Sequence, residues 1–115
     1  MDLEVTEADT ALAWRSGDVA VVATPRVLAL MEEATCLVVA DALEPGQTTV
    51  GVRVQIDHLA PVAVAGHIRA EATLEKVEGH RLVFAVSVRN DRGLVAAGRV
   101  HRVIVEIERF LERSR

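Results

Sequence analysis

An α+β fold, with a curved antiparallel sheet wrapped around one long central helix, is what the patterning of this chain predicts, and three observations carry it. Residues 24–43 place apolar side chains at helical spacing and on nearly every side, the mark of a buried helix. From Val50 onward the apolar period falls from 3.6 to 2, as in strands with one buried face. Two turn clusters, Glu78 with Gly79 and Asn90 through Gly93, then fold that stretch into hairpins, which makes the sheet antiparallel.

Taken in order, residues 5–13 read as a short strand, Ser16, Gly17 and Asp18 as a turn, and residues 19–23 as the lead into the helix. Trp14, the only tryptophan, suits a core plug or an interface anchor better than direct substrate contact. The Thr24 hydroxyl is placed to cap the first free amides of the helix, and Pro25 occupies the first position, where no amide proton is needed. Pro45 and Gly46 stop it, and Asp41 and Glu44 lie unfavourably near its negative end. At 1.5 Å per residue the rod is roughly 28 Å long, about the width of a small domain, so the rest of the chain has to wrap around it. Val27, Met31, Ala34 and Val38 form its main stripe, flanked by Leu28, Leu30 and Leu37. Ala29, Cys36 and Ala40 give an opposite face of small residues that lets a second surface approach closely.

After the helix, Val50, Val52, Val54 and Ile56 alternate with Gly51, Arg53, Gln55 and Asp57, and His58 continues the apolar face up to Pro61. Gly66 opens the next strand, with Ile68, Ala70, Ala72 and Leu74 facing in. Leu82, Phe84, Val86 and Val88 carry the inner face of a third. Residues 94–107 form a long last strand in which Gly98 marks a bulge or a close approach, and residues 108–115 are a charged end without a clear pattern. A short strand, one long helix and four antiparallel strands make the hot-dog architecture; a cystatin-like or other α+β roll is the alternative, although its helix is usually less uniformly apolar. The spare small-residue face of the helix calls for a dimer on burial grounds.

With 115 residues, half of them hydrophobic, the chain is expected to form a single domain over residues 1–115 with a proper core. A net charge of −4 argues against a nucleic-acid groove or an anionic membrane surface as the main partner. No apolar run approaches the roughly 20 residues of a membrane span. One cysteine excludes an internal disulfide, and the acidic start MDLEVTEADT is unlike a signal peptide, so a reduced cytoplasmic setting is expected. His67, His80 and His101 show no metal-ligand spacing with each other or with Cys36, and mid-helix Cys36 reads as a buried structural thiol.

Glu32 stands out, because its helical neighbours Leu28, Thr35, Cys36 and Val39 put a carboxylate in largely apolar company. Charged groups so placed are costly and are retained when paired or used. The segments DTALAWRSGDVAVVATPRVLALMEEAT, TTVGVRVQIDHLAPVAVAG, VEGHRLVF and GRVHRVIV together resemble the fluoroacetyl-CoA thioesterase-like family of hot-dog proteins over most of the chain. In that family a threonine before the central helix, a glutamate eight residues on and a histidine twenty-six residues after it form the catalytic group, and Thr24, Glu32 and His58 keep both spacings. The resemblance further implies that Gly51 lines the acyl pocket and that Arg102 meets the coenzyme A part of the substrate.

Thioester hydrolysis needs a nucleophile or an activated water, a proton carrier near neutral pH, and polarisation of the carbonyl. Glu32 suits the first role, since apolar burial would raise its pKa toward working pH, and His58 the second. Thr24 could hold the carboxylate or the water by its hydroxyl, and amides near the helix start could face the carbonyl oxygen. Taken alone, a buried glutamate and a buried histidine could simply satisfy each other; the two spacings favour catalysis. The reading is therefore an acyl-CoA thioesterase acting on a short or small acyl group, without metal or redox cofactor, coenzyme A entering only as part of the substrate. A non-catalytic acyl-thioester-binding protein is the alternative, and a hydratase on the same fold a weaker one. Thr24 and Glu32 are separated by about 12 Å of helical rise. The expectation is a homodimer whose two-fold axis brings Thr24 of one chain toward Glu32 of the other.

Overall fold

A computed structural model of residues 1–115 orders the chain as β1 (Asp2–Glu4), α1 (Ala11–Trp14), α2 (Thr24–Val39), β2 (Gln47–His58), β3 (His67–Glu78), β4 (Arg81–Asn90), β5 (Gly93–Glu106) and α3 (Ile107–Arg113), with 3-10 turns at Glu7–Asp9 and Ala40–Ala42. The strands form one five-stranded antiparallel sheet in the order β1-β3-β4-β5-β2, and α2 packs across it. This is the hot-dog fold. Val27, Leu30, Met31 and Ala34 of α2 share one core with Ile68, Ala70, Phe84, Val86, Val88 and Val100. No helix is long and apolar enough to cross a membrane.

The first strand is not where the apolar pattern puts it. Strand β1 is Asp2–Glu4, paired to β3, and residues 5–13, expected as a strand, hold the 3-10 turn and the start of α1 instead. The cause is local competition for the backbone: Thr6 donates from both its amide and its hydroxyl to Asp9 Oδ2, at 2.8 and 2.9 Å, and the Thr10 hydroxyl accepts from the amide of Ala13. Residues 11–22 then form a loop closed at its base by a bridge between Thr10 and Val22.

Along α2 the buried stripe runs through Val27, Leu30, Met31 and Ala34, then drifts to Thr35 and Val39, leaving Leu37 61% and Val38 45% exposed. Val38 and Leu37 were expected on the core side; a straight helix lying over a twisted sheet turns its last stretch away from it. With exposed Cys36 and Ala40 they make an uncovered apolar face. The expectation of a buried Cys36 thiol fails for the same reason.

Strand β2 departs from simple alternation. Gly51 pairs with Arg102 and Arg53 with His101, so Val52 is bulged out of the ladder and 51% exposed. Before the bulge the inward positions are Thr49 and Gly51; after it they are Val54, Ile56 and His58. Gly98 marks a close approach rather than a bulge, since a β carbon there would collide with the Gln55 carbonyl of β2. The charged C-terminal end forms α3, whose first amide donates to the Gly46 carbonyl at 2.9 Å.

Candidate active site

Thr24 and His58 meet within one chain. The helix is capped by the backbone of Ala23, whose carbonyl accepts from Val27 at 3.0 Å, so Thr24 is the first helical residue and its hydroxyl does not cap as expected. It lies instead 2.8 Å from Nδ1 of His58, the last residue of β2. His58 Nε2 is enclosed and has no protein partner. When the Thr24 hydroxyl donates to Nδ1, the proton of a neutral imidazole sits on Nε2; the opposite tautomer makes Nε2 an acceptor. Beside the pair lies a cleft of about 290 Å³, walled by Gly17, Val19, Val21 and Pro61. The turn and lead-in before the helix thus become one wall of this cleft.

Glu32 belongs to a second cluster. Its carboxylate accepts from Arg102 Nη1 at 2.9 Å, and its side chain is 37% exposed against 8% for Arg102. The apolar enclosure expected of Glu32 is therefore absent: a cation lies on one side and open surface on the other. Arg102 is fixed in turn by Thr49, whose hydroxyl accepts from Nε at 2.8 Å and whose carbonyl accepts from Nη2 at 2.9 Å. Gly51 forms the floor, since a β carbon added there would stand 2.6 Å from Glu32 Oε2 and 3.5 Å from Arg102 Nη1. The five residues singled out from the sequence thus fall into two groups, Thr24 with His58 and Glu32 with Gly51 and Arg102. Thr49 was not singled out, because the alternation was read as if Val52 belonged to the ladder, and that phase turns Thr49 outward.

The two groups stand apart along β2, one beside Gly51 and the other at its last residue. Gly51 and His58 are seven residues apart with one residue absorbed by the bulge, a span of roughly 20 Å at strand rise.

Other candidates have ordinary roles. Glu33 lies 3.6 Å from Arg26, but the stronger partner of Arg26 is Asp9, at 2.9 Å. Burial by itself would raise the pKa of Asp9; the bonds from Thr6 and Arg26 outweigh it and hold the carboxyl below its ordinary range. Trp14 is 43% exposed, with its indole donating to the Ala8 carbonyl at 2.9 Å, and is not a core plug. The largest cavity, about 640 Å³, opens near the ends of β3 and β4 and shares no lining residue with either group. Its charges are partly paired, Arg69 and then His67 drawing Asp2 down to a pKa of about 2. No three His, Cys, Asp or Glu side chains come together in a way that could hold a metal ion.

Residues 5–108 match the family FlK, fluoroacetyl-CoA-specific thioesterase. The chain is 31% identical over 90 residues to the fluoroacetyl-CoA thioesterase of Streptantibioticus cattleyicolor, a match covering 78% of this chain and 65% of that protein, just under two thirds of its length. In structure it is similar to the fluoroacetyl-CoA thioesterase FlK, with a TM-score of 0.94 at 26% identity over 99% of this chain and 89% of that one. A hot-dog-like protein from Thermanaerovibrio acidaminovorans superposes with a TM-score of 0.91 at 28% identity, over 99% of this chain and 84% of the other.

Proposed function

The chain belongs to the fluoroacetyl-CoA-specific thioesterase family, and from that premise we propose that it is an acyl-CoA thioesterase that hydrolyses a short or small acyl-CoA. The carbon–sulfur bond breaks, the oxygen of water joins the acyl group as the free acid, and coenzyme A leaves as its thiol. The observation that carries this reading is a carboxylate held in one place and still accessible: Glu32 rests on Arg102 above the bare α carbon of Gly51, with its side chain 37% exposed. In this reading Glu32 attacks the carbonyl or activates the water, and His58, oriented by Thr24, supplies and accepts protons through Nε2. Arg102 seats Glu32 in this reading, with Nε, Nη1 and Nη2 each making one bond within the chain. The cleft bordered by Thr24 and His58 suits a small acyl group.

The site is completed by a second subunit. Thr24 with His58 and Glu32 with Gly51 are too far apart along β2 to act on one carbonyl within a chain. Glu32 borders the face of α2 that bears Ala29, Cys36 and Ala40, the surface on which a homodimer axis joins the two groups.

A panel of acyl-CoAs assayed with a thiol-detecting reagent tests the activity. We expect release of free thiol by the wild-type protein and a loss of about 10³-fold or more in kcat for Glu32→Gln, within the range of a general acid–base group. Hydration without thiol release, or binding without turnover, overturns the thioesterase reading. Wild-type turnover in a folded Glu32→Gln protein removes Glu32 from the site.

A further inference from the structure

We propose that Thr49 is a positioning residue for the reaction, aiming Arg102 at Glu32; the inference rests on the thioesterase reading above. An arginine side chain has many rotamers and loses considerable freedom when held in one. Here a single residue holds it at two points. Thr49 Oγ1 accepts from Nε at 2.8 Å and Thr49 O accepts from Nη2 at 2.9 Å, and because the guanidinium is planar, two bonds on one flank fix both its plane and its rotation. What is left is a donor, Nη1, directed at Glu32 Oε2 at 2.9 Å.

The arrangement is shielded where it has to be rigid and open where chemistry takes place. Thr49 and Arg102 are 7% and 6% exposed, so water does not readily replace their bonds, whereas the Glu32 side chain at the end of the relay is 37% exposed. Thr49 and Gly51 share the inner face of β2 one step apart. One strand therefore clears the floor beneath the carboxylate and aims the cation beside it. The hydroxyl is the replaceable part, since the carbonyl bond survives any side chain. A valine there keeps the shape but leaves Nε–H of a buried guanidinium without its acceptor, and the Nη2 bond to the Thr49 carbonyl is then the only one holding that flank.

The test compares Thr49→Val, Thr49→Ala and Thr49→Ser with the wild-type protein in steady-state acyl-CoA hydrolysis, alongside thermal melting and the Arg102 Nε–H nuclear magnetic resonance signal. We expect kcat to fall about 10- to 100-fold in Thr49→Val with KM changed less than about threefold, the pattern of a misplaced group and not of lost binding. Thr49→Ser should restore kcat to within about threefold of wild type and keep the slowly exchanging Nε–H signal that Thr49→Val loses. Thr49→Ala removes the hydroxyl without placing a methyl against the guanidinium, so it serves where the valine variant fails to fold and should show the same loss. Folded Thr49→Val or Thr49→Ala with wild-type kcat, while Glu32→Gln is inactive, overturns the role of Thr49 alone. Equal impairment of Thr49→Ser and Thr49→Val also overturns it, by assigning the effect to packing. Absence of thiol release from the wild-type protein overturns the thioesterase reading instead.

Discussion

At the scale of single residues, Gly51 shows how an absent side chain serves a site. A β carbon there would stand 2.6 Å from Glu32 Oε2, closer than such contacts occur, and the atom that has to yield is the end of a flexible side chain. Gly51→Ala is therefore expected to fold, changing stability by less than about 1 kcal/mol, while pushing the carboxylate off Arg102 and lowering kcat by at least about tenfold. Unfolding midpoints and kcat measured on the same preparation check this; an unchanged kcat would mean that the seating of Glu32 on Arg102 is irrelevant to turnover. Such details are hard to see in a sequence. Glu32 was conspicuous because its helical neighbours are local and apolar, but its partner Arg102 is seventy residues away on another strand. Periodicity reports which face a residue takes and says nothing of which distant side chain it meets there. The roles of Gly51 and Arg102 came from family resemblance alone, and their placement beside Glu32 came from the fold.

At the scale of elements, α2 and the four long strands were legible because their signals are periodic and each is carried by its own residues. The segment before α2 was not, because the side chains of Asp9 and Thr10 accept from nearby backbone amides, with the Thr6 hydroxyl also donating to Asp9, and so replace a strand with turns. That segment is tied to the foot of α2 through Asp9, which takes Arg26 on one oxygen and Thr6 on the other, and whose carbonyl accepts from Ala23 at 2.8 Å. The carboxyl is held below its ordinary pKa, so its stabilising contribution is full above about pH 4, the unfolded value, and is lost as pH falls through the lower, folded value. Asp9→Asn should cost about 1–3 kcal/mol at pH 7. The difference from wild type should shrink on going to pH 3 and below. Urea unfolding of both proteins across that range measures it, and a gap that stays constant with pH would remove the charge of Asp9 from the account.

For the whole molecule, the question is how many chains make one site. The chain places Thr24 with His58 at the end of β2 and Glu32 with Gly51 well before it, and the exposed apolar face of α2 adjoins Glu32. If sites are shared, mixing His58→Ala with Glu32→Gln yields heterodimers in which one site carries both lesions and the other neither. At equal mixing with free exchange, about a quarter of the wild-type rate should return. Heterodimers verified by mass spectrometry that stay inactive would place each site inside one chain. Helical spacing led to the expectation of a shared site and made the small-residue face conspicuous, without naming the residues that cover it. The bulge at Val52 has a last consequence for this arrangement. Gly51 and His58 are an odd number of residues apart, so in an unbroken strand they would look in opposite directions; they share a face because Val52 pairs with nothing. The strand thus holds one residue of slack. A single deletion between the two can be absorbed by straightening, with both still turned inward and in register, whereas a single insertion needs a second break, reverses His58, or, if the bulge straightens, carries His58 two ladder positions along the strand.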